Sequence, residues 1–382
     1  MKFGVFLPNG SNGYIMSKAI PPYLPTWELN KAVTIEAERQ GLDFVLSMMK
    51  FRGFGGETGY WDACMESFSL MSALASVTNR IGLIPTVTIL ALHPAYVARM
   101  MSTLDDISDG RAALNIVSGW NKPEYEQMGL WRGDEYYLQR YEYALDYVQI
   151  LRALWKDGRV THQSRFFDLA DCSCLPTPAH EIPIVSAGQS SAGRKFVAQI
   201  GGYSFAMAAP ERVRGLAADL HQQATQYKTR VGTFALLHLV ADETDDLAWQ
   251  KAKTIAAQGD VAAIQNMVKS ATLDSVKDGT TEQLRESASA DAGLLAGDIE
   301  VANMAFMGFP ALVGSYEAVA RKIDAIATDP NIEGLLFSWP EWVSGIRTFG
   351  ERIIPLLECR RGWDSETMGG LRGTGKTGIK GG

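Results

Sequence analysis

Cysteine is scarce in this chain: four in 382 residues, Cys64, Cys172, Cys174 and Cys359. The pair in "DCSC" is C-x-C, so it matches neither the C-x-x-C redox motif nor a zinc-ligand spacing. The expectation is reduced, structural thiols. The five histidines (His93, His162, His180, His221, His238) are scattered without ligand spacing, and no G-x-S-x-G elbow offers a hydrolytic serine. Basic residues are outnumbered 36 to 43, giving a net charge of -7 and a pI near 5.4. That balance disfavours a nucleic acid or an anionic membrane surface as partner. The longest apolar stretch, "IGLIPTVTILAL", is too short and too β-branched to span a bilayer. The start, "MKFGVFLPNG", has no signal-peptide layout, so the expected location is the cytoplasm.

What the chain does have is a 46% hydrophobic content, enough for a large core, and a repeating order of short apolar runs and amphipathic segments. Strands are expected at 2–8, 43–49, 81–89, 112–119, 182–188, 203–208, 231–241 and 334–340, nearly all followed by a helix. Among these helices are 28–41, 66–78, 93–110, 141–158, 191–202, 211–228, 245–258 and 344–360. The strands are apolar without clean alternation, which points to burial on both faces and a parallel sheet. Eight βα units imply an α/β fold of the (β/α)8 TIM-barrel type, with an open doubly wound sheet as the alternative. No G-x-G-x-x-G follows the first strand, which weakens that alternative. One barrel domain over 1–361 is expected. A polar, Ala/Ser/Asp-rich insertion at about 259–312 reads as a loop cover, and 362–382 as a Gly-rich, disordered tail.

In such a barrel the chemistry sits at the C-terminal ends of the strands. Lys50 falls just past strand two, before the Gly-rich "FRGFGG". Thr86 is near the end of strand three. Asn115 lies in strand four, followed by Trp120 and Glu124 in "SGWNKPEYEQMG". Each has a plain structural alternative: a solvated lysine, a β-favouring threonine, a satisfied core amide, a core tryptophan, a helix-starting glutamate. "GQSSAGRK" opens a helix after strand five with small residues, a ready anion site, although Ser190 also suits a simple N-cap. Arg140, with Tyr141 beside it, suits a bidentate phosphate contact or a surface ion pair. With so few acid–base groups, a cofactor carrying the chemistry is expected.

Several longer stretches carry a resemblance: "PTWELNKA", "LSMMKFRGFGG", "ARMMSTLDDISDGR", "NIVSGWNKPEYEQMG", "SAGQSSAG", "VADETDD", "LVGSYEAVAR" and "SGIRTFGERIIPL". Together they resemble the bacterial-luciferase-like flavin-dependent monooxygenases, and within them the branch that opens pyrimidine rings. The resemblance implies a (β/α)8 barrel and FMN, delivered reduced by a separate NAD(P)H-dependent flavin reductase. It implies that Met49, Lys50, Asn115 and Glu124 meet the flavin and that Arg140, Tyr141 and Ser190 meet its phosphate. It further implies an oxygen pocket of Leu46, Thr86, Asn115 and Trp120, with Lys50, Thr86 and Asn115 as donors. The implied reaction uses O2 through a flavin peroxide to cleave the N3–C4 amide of uracil, giving a ureidoacrylate. The resemblance also implies a homo-oligomer. The stretches at 203–213, 260–300 and 337–345 depart from the family's pattern. Another cyclic amide or N-heterocycle therefore stays open as substrate, as does a deazaflavin-dependent barrel dehydrogenase.

One string points elsewhere. "GLRGTGKT", from Gly370 to Thr377, fits the P-loop pattern G-x-x-x-x-G-K-[ST]. No strand leads into it and only five residues follow, too few for the helix whose N-terminus would face a phosphate. We read it as tail sequence.

Overall fold

The computed structural model describes all residues except 209, 290–303, 364–370 and 372–382. Its centre is a ring of parallel strands: β1 (Lys2–Phe6), β2 (Phe44–Leu46), β3 in two pieces (Gly82–Ile84 and Thr86–Thr88), β4 (Leu114–Val117), β5 (Ile184–Ser186), β6 (Gly202–Ala206), β7 (Val231–Asp242) and β8 (Ile332–Ser338). β1 pairs with both β2 and β8, and pairing continues through β7, β6, β5 and β4 back to the second piece of β3. The first piece of β3 pairs with β2, so the ring closes through Pro85. All eight strands expected from sequence are present, and the architecture is a (β/α)8 barrel.

Pro85 splits β3 because it has no N–H to give the ladder. Its carbonyl still accepts from Asn115 N at 2.9 Å. The break frees the next N–H, that of Thr86, which donates to Ser67 Oγ at 2.8 Å. The interior of the barrel is plugged with aromatics. Inside, Phe44 meets Phe234 at 5.1 Å between ring centroids, while on the outer face Phe3 and Phe337, 5.7 Å apart, both pack on Phe349. Gly4 permits the inner contact, since a Cβ there would lie 2.2 Å from the Phe44 ring.

The structure corrects four boundaries. β7 is twelve residues long, and its outer part pairs in parallel with an extra strand, Ala311–Ser315, which the sequence reading did not list and whose first two residues it placed in the insertion. The helix Tyr316–Ala327 after that strand went unread, although Ser315 is a good N-cap whose Oγ accepts from Ala318 N at 3.3 Å. The last helix is not continuous over 344–360. It runs Trp342–Thr348 and then passes through π and 3-10 turns, the latter beginning at Ile354–Leu356 around Pro355. Finally, the described part of the insertion is helical, with Val261–Thr272 and Thr280–Ser289.

His238 sits in β7 with no exposed surface to speak of, between Ser338 Oγ at 2.7 Å and the Phe306 carbonyl at 3.0 Å. Burial pushes its pKa down to about 4. The folded state thus holds the ring neutral while the unfolded chain protonates near 6.5. The stability this contributes is complete above about pH 6.5 and is lost as pH falls toward about 4, on the order of 3 kcal/mol in all. Urea unfolding across that window should show the loss, and His238→Gln should flatten it. An unchanged pH slope in the variant would remove His238 as the cause.

Candidate active site

The C-terminal ends of the strands open onto one cavity of about 180 Å³. Leu46 closes β2, Thr86 and Thr88 belong to β3, and Asn115 and Val117 to β4. Ala187 follows β5, Met207 follows β6, and Leu236 and Leu336 come from β7 and β8. Seven of the ten residues singled out from sequence line it: Leu46, Met49, Lys50, Thr86, Asn115, Trp120 and Glu124. The other three, Arg140, Tyr141 and Ser190, line a smaller hollow of about 100 Å³. The two share Val117, Gly119, Trp120, Ala187, Met207 and Thr280. They form one site with an inner and an outer part. A larger hollow of about 420 Å³ lies between the helix Asp245–Ala257 and the end of β8, and none of the ten residues reaches it.

The inner part is organised by a buried ion pair. Lys50 Nζ lies 2.6 Å from Glu124 Oε2, with both side chains less than a tenth exposed. The other carboxylate oxygen accepts from the Phe51 backbone N–H at 2.7 Å. One glutamate on the loop after β4 thus ties down the loop after β2. The ammonium also faces the rings of Phe54, Trp61 and Trp120 at 4.9, 5.7 and 5.6 Å, an arrangement that favours a desolvated cation.

Beside this pair runs a polar chain. Ser47 Oγ and Ser67 Oγ are 2.6 Å apart, Thr86 Oγ1 donates to the Ser47 carbonyl, and Asn115 Nδ2 donates to Thr86 Oγ1 at 2.9 Å. Thr86 has one hydroxyl proton and gives it to Ser47, so only an N–H can face its oxygen. That fixes the orientation of the Asn115 amide. Its Oδ1 is buried and has no partner among the described residues. The expectation that Thr86 serves as a donor meets a limit, because its one hydroxyl proton is given to the Ser47 carbonyl. Asn115 keeps a second Nδ2 proton beyond the one given to Thr86, and its Oδ1 is an open acceptor.

In the outer part Ser190 is the N-cap of the helix Ser191–Ile200, and its Oγ accepts from Gly193 N at 3.1 Å. Arg140 is buried within the helix Tyr136–Asp157, in its second turn rather than at its entry, and Nη1 donates to Asp274 Oδ2 at 2.8 Å. Its Nε is buried without a partner among the described residues. The half-buried Tyr141 packs against Phe196.

Sequence reasoning missed Trp61 and Tyr14, and it read the insertion as a cover without naming the residues that form it: Met267, Thr280, Leu284, Met307 and Phe309 all line the inner cavity. Trp61 carried no sequence signal. It has a positive φ of 59°, rare for a bulky residue, and its Nε1 donates to the Gly13 carbonyl at 2.6 Å. The insertion is tied to the Gly-rich loop by Asp260, whose Oδ2 accepts from both Thr58 N and Thr58 Oγ1 at 2.8 Å. Asn266 Nδ2 adds a bond to the Phe54 carbonyl at 2.8 Å.

The cysteines play no part in this lining. Burial pushes the Cys64 thiol up to about 12, far from a reactive thiolate. Among the described residues no group of three His, Cys, Asp or Glu side chains is placed to hold a metal, and no helix is long and apolar enough to cross a membrane. Of the P-loop-like string only Leu371 is described. It is buried, and its carbonyl accepts from Tyr203, near the start of β6, at the end of the barrel opposite the cavity. The expected tail disorder falls otherwise outside the described residues.

A parallel barrel with a largely apolar cavity, a caged lysine and a second hollow lined by Arg140 and Ser190 suits an enzyme whose chemistry a cofactor carries. The sequence profile described as luciferase-like monooxygenase matches residues 1–330, and the chain belongs to that family, whose enzymes use a flavin. More particularly, it is 43% identical over 364 residues to a protein named Pyrimidine monooxygenase RutA of Escherichia coli O139:H28, covering 94% of this chain and 90% of the relative. Among solved structures, EDTA monooxygenase (EmoA) from Chelativorans sp. BNC1 superposes with a TM-score of 0.77 at 16% identity over 97% of each chain. Riboflavin lyase (RcaE), solved with modified FMN and riboflavin, gives 0.75 at 19% identity over 98% of this chain and 94% of that one. These two likenesses bear on the fold alone.

Proposed function

We propose that the chain is a reduced-FMN-dependent monooxygenase that uses O2 to cleave the N3–C4 amide of uracil or a closely related pyrimidine, opening the ring to a ureidoacrylate product. One observation carries this reading. In a chain 43% identical over 94% of its length to a protein named Pyrimidine monooxygenase RutA, all ten flagged residues converge on one two-part site.

The residues suit the cofactor. The unpartnered Asn115 Oδ1 is an acceptor at the wall of the inner cavity, and a reduced flavin ring carries N–H donors. The outer hollow, with Arg140 and the start of the helix Ser191–Ile200, suits a phosphate. A reduced flavin, when bound, supplies the electrons that activate O2. The protein's own contribution is placement. Thr86 holds Asn115 in one orientation, and Glu124 holds Lys50, whose ammonium can stabilise negative charge developing on a ring carbonyl oxygen. Leu46, Met49, Trp120 and the apolar side chains of the insertion keep water out, which limits loss of reduced oxygen as H2O2.

With this reading go a separate NAD(P)H-dependent flavin reductase, a homo-oligomeric state, a cytoplasmic location and a single barrel domain over 1–361. The test is anaerobic titration with reduced FMN, followed by O2 and uracil. A ring-opened product is expected. Flavin binding accompanied only by H2O2 release would keep the flavin site and reject uracil as substrate.

A further inference from the structure

The outer hollow already contains anions, and they belong to the chain itself. Asp274 Oδ2 lies 2.8 Å from Arg140 Nη1 and also accepts from Thr281 Oγ1 at 3.0 Å. Asp278 Oδ2 accepts from the backbone N–H of Ser191, the first residue of the helix, at 2.6 Å. Gln189 Nε2 reaches Thr280 Oγ1 at 3.0 Å. Between the two carboxylates and the helix start, Gly279 presses so closely on Ser190 that a Cβ would lie 2.8 Å from Ser190 N, and its φ of +81° favours glycine. The side of Arg140 that Asp274 does not reach, at Nε, is buried and unsatisfied among the described residues. Burial works against ionisation of Asp278, but the N–H groups of Ser191 and Gly279 outweigh it and hold its pKa below the usual carboxylate range. The carboxylate is thus charged at neutral pH.

We infer that residues 274–281 form a lid that competes with the cofactor's phosphate. Its two aspartates sit on donors a phosphate would use, so the phosphate must displace Asp278 from Ser191 N–H and share or take Arg140 from Asp274. The inference rests on the reading that the outer hollow takes the phosphate. Two consequences follow from geometry. First, competition weakens FMN binding by the fraction of molecules with the lid seated, without altering the flavin-ring pocket. A cofactor that exchanges with a reductase is served by such weakening. Second, Thr280 lines both parts of the site and Leu284 lines the inner one. Displacing the lid at the phosphate end therefore moves the cover of the inner cavity. A phosphorylated flavin can do this; riboflavin, without the phosphate, cannot.

The test compares FMN with riboflavin. Dissociation constants for both, oxidised, are measured by fluorescence on the full chain, its Asp278→Asn variant and its Arg140→Met variant. Asp278→Asn should bind FMN about fivefold or more tightly, a typical coupling, with riboflavin unchanged. In the unaltered protein, amide hydrogen exchange over 273–289 should be faster with FMN than with riboflavin, a readout that does not depend on any variant folding. Arg140→Met should weaken FMN alone. If it weakens neither flavin, or both equally, the phosphate reading itself fails. If Arg140→Met selectively weakens FMN while Asp278→Asn leaves FMN unchanged or weaker, the phosphate site stands and the lid is overturned. Slower exchange over 273–289 with FMN than with riboflavin would also overturn it.

Discussion

Asn115→Ala should reduce oxygenation by a factor of about a hundred or more in kcat while leaving the barrel nearly as stable as before. The two effects separate because of how the amide is bonded. Its Nδ2 makes one hydrogen bond, to Thr86 Oγ1, and Thr86 keeps its bond to the Ser47 carbonyl when that donor is removed. The stability loss is that of one buried hydrogen bond, about 1 kcal/mol. The activity loss is larger because Asn115 Oδ1 is the buried polar atom of the inner cavity left open for a ligand. Removing one preorganised polar group at a reacting centre costs roughly 10²–10³ in rate. Single-turnover oxidation of reduced FMN with uracil, run beside urea unfolding, measures both. Unchanged turnover would take Asn115 out of the chemistry.

The second large effect is on folding. Glu124→Ala should destabilise the protein by about 3 kcal/mol or more, because it leaves the Lys50 ammonium buried without its counter-ion. It also strips the Phe51 N–H of its acceptor. The three aromatic rings around Nζ offset only part of the loss. Replacing both partners, as Lys50→Met with Glu124→Met, should recover most of the stability, since an apolar pair of similar size often matches a buried ion pair. Turnover should not recover with it. If the double variant were no more stable than Glu124→Ala alone, the uncompensated charge would not be the cause.

The unequal legibility of the site has physical reasons. Lys50, Thr86 and Asn115 could be read because a barrel strand declares itself by a short apolar run, and the end of each run marks the catalytic face. The cover over that face could be read as an insertion but not residue by residue. Asp274, Asp278 and Leu284 lie in a polar segment whose long-range partners appear only when 274–281 folds back on Ser191, Gln189 and Arg140, 87 to 134 positions earlier in the chain. No local period records such a contact. The strand Ala311–Ser315 was missed for the same reason: five residues of edge pairing against an overlong β7 carry little local signal. Trp61 was missed because its place depends on a bond to Gly13.

The P-loop-like string shows the opposite error that pattern invites. Its spacing is right, but a phosphate loop needs a strand before it and a helix after it, and the neighbouring sequence carries no signal of either. By itself the sequence determined the eight strands, their parallel order and which of their ends would carry the site, because apolar periodicity and strand ends are local properties of the chain. Only the tertiary structure decided which polar atoms in that site are spent and which are open. It committed the Thr86 proton to Ser47, left Asn115 Oδ1 as an open acceptor, paired Lys50 with Glu124, and set Asp274 on Arg140 and Asp278 on the Ser191 N–H. Hydrogen-bond valence is settled among neighbours in space, and those neighbours come from strands and loops far apart in the chain.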